Sequence, residues 1–137
     1  MRHATIALVL MVLPTAALAQ DLAPLDELKA CRLDPGSISL AFIYEGGACE
    51  QTGDAEVAHV DGDTVAITVP TLATAEICTM QLVKVNFAGL VTVPETATRI
   101  DVQVLNPIGE VVAAGDGDIT PNTPDCLPPE AQVPAAQ

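Results

Sequence analysis

From Ser37 onward the side chains alternate between apolar and small or polar at every second position, in short runs broken by Gly, Pro and Asp. Such a period of two is the signature of extended strands with one buried face. Ile38, Leu40, Phe42 and Tyr44 share a face, with Ser39, Ala41 and Ile43 on the other, until Gly46-Gly47. Residues Ala55 to Val60 and Thr64 to Val69 flank Asp61-Gly62, a dipeptide suited to a tight hairpin turn. Pro70, which lacks a ladder donor, is expected to stop the second of these runs.

The run Ile77 to Phe87 is strongly apolar, and its apolar face switches after Leu82, which suggests a bulge. Ala88-Gly89 separates it from a short strand over Leu90 to Val93, which Pro94 ends. Ile100, Val102 and Val104 then alternate with Arg99, Asp101 and Gln103, and Glu110 to Ala114 forms the last run before Gly115. About seven strands with these turn signals and no βαβ alternation point to an all-β fold, a small antiparallel β-sandwich over residues 37–126. The stretch Asn106-Pro107-Ile108-Gly109-Glu110-Val111-Val112 resembles the closing hairpin of many immunoglobulin-like bacterial domains, and the resemblance implies a fold of that kind without implying a function.

Ahead of these strands, Asp21 and Pro24 can open a short helix within residues 20–36. Leu22, Leu25, Leu28 and Cys31 would share its face, and Asp34-Pro35-Gly36 would end it. The amino end itself, residues 1–19, reads as a secretory signal peptide: Arg2 and His3, the apolar run Ala4 to Leu13, then Ala17-Leu18-Ala19 before Gln20. The apolar run is too short to span a bilayer, and no Cys follows it closely enough for lipid attachment. The expected product is therefore periplasmic or secreted, with no membrane insertion after cleavage. At the other end, Pro128, Pro129 and Pro134 lie in a segment over 127–137 that lacks apolar pattern and is expected to be a disordered tail.

The compartment makes sense of the cysteines. Cys31, Cys49, Cys78 and Cys126 all lie beyond the signal segment, where disulfides persist. Four cysteines allow three pairings, and the preferred one joins Cys49 to Cys78 inside the domain and Cys31 to Cys126 across its ends. No Cys-x-x-Cys is present, and His59 is the one histidine beyond the leader, so neither a zinc site nor a thioredoxin-like redox role is expected.

The chain carries 18 acidic against 5 basic residues, for a formal charge of −13, and cleavage at Ala19 would remove one of the basic ones, Arg2. A field of that sign repels nucleic-acid phosphates and anionic lipid headgroups and attracts basic surfaces. Catalysis has little to work with: His59 has no Gly-x-Ser-x-Gly partner, and a sugar cleft would want aromatics in a chain with no Trp and a single Tyr. A small hydrolase would require carboxylates converging in a pocket, and no cofactor is implied.

Two functions from different classes fit. In the first, the domain is a protein-binding module for an unknown partner, and the chain's acidity suits a basic one. The segments Glu45 to Asp54 and Pro70 to Glu76 would carry the contacts, stiffened by a Cys49–Cys78 bridge. In the second, it is a calcium-dependent structural or ion-binding protein. Asp116, Asp118, Thr120 and Asn122 offer oxygens at alternate positions like the first half of a calcium loop, although Pro121 and Leu127 stand where such a loop has its Gly and bidentate Glu.

Overall fold

A computed structural model describes residues 22–121 and Cys126. The signal peptide expected over 1–19, the tail expected over 127–137 and Asn122 lie outside the described residues. Nine strands follow in order: β1 (Ala23–Pro24), β2 (Asp26–Asp34), β3 (Ser37–Gly47), β4 (Glu50–Thr52), β5 (Glu56–Asp61), β6 (Thr64–Ala73), β7 (Leu82–Thr92), β8 (Arg99–Leu105) and β9 (Val111–Thr120). They pair in the order β4-β6-β8-β9-β2-β3-β7, with β5 on β6 and β1 on β9, and the sheet curls into a nearly closed barrel in which β5 lies alongside β7.

The pairing is mixed rather than antiparallel throughout. β6 and β8 run parallel from Thr64↔Arg99 to Pro70↔Leu105, and β9 is parallel to both β1 and β2. This parallel register sets Val65, Ile67 and Val69 level with Ile100, Val102 and Val104, all six at most 1% exposed. Ile38, Leu40, Phe42 and Tyr44 of β3 close the core from the other side. Each such burial contributes roughly 1.5 to 3 kcal/mol, and in this chain aliphatic side chains supply most of it.

The expected N-terminal helix is instead extended chain. Leu25 and Leu28 are three residues apart, a spacing that mimics a helix face but would put them on opposite sides of a regular strand. A register shift between Asp26 and Lys29, with Glu27 at φ 52°, inserts an irregularity that turns both leucines toward the core. Their seats are glycines on β9: a Cβ on Gly115 would stand 3.0 Å from Leu25 Cβ, and one on Gly117 would stand 3.8 Å from a Leu28 methyl. Docking onto β9 thus overrides the local helical pattern.

Three other boundaries differ from expectation. β6 continues through Pro70 to Ala73, because Pro70 falls where β6 changes partner from β5 to β4 and no donor is needed there. β7 is one unbroken strand through Ala88-Gly89, paired residue for residue with β3 from Thr92 to Leu82 without a bulge. Residues 77–81, read as the start of that strand, form a loop instead, since Cys78 is tied to Cys49. The Asp61-Gly62 hairpin forms as expected, with Gly62 at φ 61°.

The β2–β3 turn is fastened by polar groups. Asp34 accepts the Gly36 N–H at 2.9 Å. A hydrogen bond from the Ser37 side chain, together with that Gly36 N–H, holds the Asp34 carboxyl below the usual carboxylate range. A carboxyl whose folded pKa is depressed contributes stability above its unfolded pKa, and the contribution disappears as pH falls through the folded value. Asp34→Asn is therefore expected to lower stability near neutrality and to flatten the acid limb of a melting-temperature profile. An unchanged acid limb would refute the assignment. Beside this turn the Arg32 guanidinium donates to the carbonyls of Pro35 (2.9 Å), Pro94 (3.2 Å) and Ala97 (2.8 Å), tying the 94–97 turn to β2.

Candidate functional site

At the end of the barrel opposite Arg32, β3 carries two adjacent glycines whose lack of side chains is used by their neighbours. The Tyr44 ring folds over Gly46, so that a Cβ there would lie 2.8 Å from a ring carbon. The Glu50 carboxylate lies over Gly47 in the same way, 3.0 Å from a Cβ position. Tyr44 is 1% exposed and its ring belongs to an aromatic group, tilted against Phe42 at 6.0 Å. Burial, and after it the charge of Glu50, raises the Tyr44 phenol pKa. Gly46→Ala should displace this packed ring at a net cost of about 1 to 2 kcal/mol, overpacking being partly offset by the stiffer unfolded chain. A melt at or above the wild-type temperature would show that the ring relocates freely.

The cleft next to these glycines has a volume of about 670 Å³. β3 supplies Glu45, Gly46 and Gly47 to its lining, β4 supplies Glu50, and the segment beyond β6 supplies Ala75, Cys78, Thr79, Met80 and Gln81. The segment 74–81 is held at both ends: Thr74 N–H donates to Cys49 O at 2.7 Å, Ala48 N–H donates to Gln81 O at 3.0 Å, and the Cys49–Cys78 disulfide crosses between. Held this way, the segment and the residue after it present their apolar side chains to solvent. Ile77 is 92% exposed, Met80 fully so, and Leu82 69%.

The other disulfide, Cys31–Cys126, is buried, its cysteines 1% and 2% exposed, and it joins β2 to a residue beyond β9. Two disulfides are typical of proteins outside the cytoplasm. Comparison with protein-family models, curated proteins and solved structures yields no match.

The two segments read as contact loops converge on the cleft, but as strand ends rather than free loops: residues 50–52 pair with 71–73 as β4 and β6. The oxygen-rich segment is also a strand. Asp116, Asp118 and Thr120 project at alternate positions from β9, and Arg99 across the sheet engages both carboxylates, Asp116 at 3.1 Å and Asp118 at 2.8 Å. Two of the oxygen-bearing residues of the expected calcium segment thus share one cross-strand guanidinium, and Asn122, its last residue, lies outside the described residues. Among the described residues no cluster of three or more His, Cys, Asp or Glu side chains is placed to hold a metal. His59 is exposed on β5, away from the cleft lining.

Sequence reasoning missed Met80 and Leu82 as surface residues, because an apolar run containing β-branched residues reads as a buried strand. The one available signal was Cys78 within that run, since a bridge from it to Cys49 limits where the run can lie.

Proposed function

We propose that this chain is an exported, non-catalytic β-domain that works as a protein-interaction module, with the disulfide-braced cleft beside Gly46-Gly47 as its contact surface. The observation carrying this reading is the exposure of Ile77, Met80 and Leu82 on a segment that two backbone hydrogen bonds and a disulfide keep in place. Solvent-facing apolar groups cost solubility unless something covers them, and an ordered segment loses little entropy on binding. In its finer architecture we read the barrel as a two-layer immunoglobulin-like body: β5, β6, β8 and most of β9 form one layer, and β2, β3 and β7 the other, with the aliphatic core between them. The leader over 1–19 and the two disulfides together favour the periplasm or the exterior of the cell.

Site-specific photocrosslinking in the native host tests the surface directly. A crosslinker at position 80 is expected to capture a discrete protein partner, and one at the exposed Asp101 on β8 is not. Cys49→Ser, which frees the segment, is expected to reduce the yield at position 80 several-fold. Equal capture from both positions would end the assignment.

A further inference from the structure

We infer that the cleft recognises an extended protein segment pairing a cationic side chain with an apolar one, the cation being held by Glu50. The inference rests on the interaction reading and supplies the chemistry of the partner.

Glu50 is half-buried in the cleft wall, where β4 pairs with β6 at Glu50↔Ala73, and its carboxylate is backed by Gly47. Its charge acts on the buried Tyr44 phenol beside it, and the carboxylates that Arg99 engages are those of Asp116 and Asp118. The other acidic group in the lining, Glu45, stands directly across from Lys84 in the β3–β7 register, so its charge has a cationic neighbour. Arg32 and Arg99 are engaged at the far end of the barrel. A carboxylate in a partly dehydrated wall attracts a cation more strongly than one in bulk water. The chain's formal charge of −13 adds long-range attraction for such a partner.

The apolar half of the recognition comes from Met80 and Leu82, which line the same cleft. Methionine is unbranched and adapts to irregular partners, and a lysine or arginine stem is itself apolar until its head. The cleft volume of about 670 Å³ suits one or two side chains rather than a folded surface. A protein segment is favoured over a free small cation because the apolar rim continues outward through Ile77, beyond the cleft lining.

Fluorescence anisotropy with a labelled short peptide of alternating lysine and leucine tests this. Saturable binding to the full chain is expected, weakened about tenfold by Glu50→Gln and several-fold by Met80→Ser. Asp101→Asn changes the net charge by the same amount at a remote exposed site, and it is expected to leave affinity unchanged. Binding should fall as salt rises, and the counterpart peptide with glutamate for lysine should not bind. Equal affinity for wild type and Glu50→Gln, or equal binding of the glutamate peptide, would overturn the inference, as would absence of lysine-peptide binding. Each of these would leave the interaction surface intact if the position-80 crosslink still captures a partner. Loss of that crosslink would remove the underlying reading as well. Melting curves for Glu50→Gln and Met80→Ser, both at exposed or half-exposed positions, confirm that the folded state is what is titrated.

Discussion

Replacing Cys31 and Cys126 together with alanine should lower stability by about 4.7 kcal/mol. The two cysteines are 95 residues apart in sequence, with Cα atoms at 5.4 Å, so the bond closes nearly the whole described chain into one loop. In the chain-entropy view, opening so long a loop returns more freedom to the unfolded state than opening a short one. The Cys49–Cys78 bridge spans 29 residues, and its loss is expected to cost about 3.6 kcal/mol on the same basis. For a domain of this size, 1 kcal/mol corresponds to roughly 4 to 8 °C in melting temperature, so the first variant should melt some tens of degrees lower. Calorimetry on both double variants checks the order. Reduction should follow the reverse order: Cys78 is exposed and the Cys31–Cys126 pair is buried, so a mild thiol reductant should open the cleft bridge first. Equal destabilisation by the two double variants, or simultaneous reduction of both bridges, would contradict this account.

Phe42→Ala is the second large effect, expected at about 3 to 5 kcal/mol. Phe42 is 2% exposed and faces Phe87 directly across the β3–β7 ladder, with ring centroids 4.9 Å apart and nearly parallel planes. It also touches the Tyr44 ring, so the two Phe and one Tyr of the whole chain form a single group on these two strands. No other large ring is available to fill the gap, and the aliphatic residues of β6 and β8 are already packed against one another. The loss should be visible in chemical denaturation as a lower midpoint at unchanged slope. Phe42→Leu, which keeps most of the volume, is expected to cost less than half as much. A cost for Phe42→Ala below 1 kcal/mol would mean that the core collapses around the gap.

The same aromatic group bears on the cleft. Tyr44 shares its face of β3 with Phe42 and covers Gly46, so the cleft wall is built directly on the core. A partner seated there would rest on a rigid platform. That rigidity favours a slow dissociation rate over a broad set of partners.

The strands from Ser37 to Gly47, from Thr64 to Val69 and from Arg99 to Leu105 were legible in outline because each has one buried face, and a period of two needs no tertiary information. The hairpin at Asp61-Gly62 was legible for a similarly local reason: Gly62 supplies the positive φ that the turn demands. The acidity, the scarcity of histidine and the scarcity of aromatics likewise follow from composition alone. Leu25 and Leu28 show where this reasoning stops. Their spacing is shared by a helix and by a strand interrupted at Glu27, and local pattern cannot separate the two. The glycines at 115 and 117, ninety residues along the chain, make the strand the better seat. Met80 and Leu82 mark the same boundary from the other side: apolar character argues for burial, whereas the bond between Cys49 and Cys78 holds the segment in solvent. The exposed acidic pair at Asp116 and Asp118 was visible, but Arg99 between them was not, since cross-strand neighbours depend on which strands are brought together. What residue order alone determined is therefore every feature decided within a few residues of chain, namely strand faces, tight turns and net charge. The parallel pairing of β6 with β8, the engagement of Arg99 and the acidic, apolar-rimmed cleft were decided only in the tertiary structure, because each depends on contacts between segments far apart in sequence.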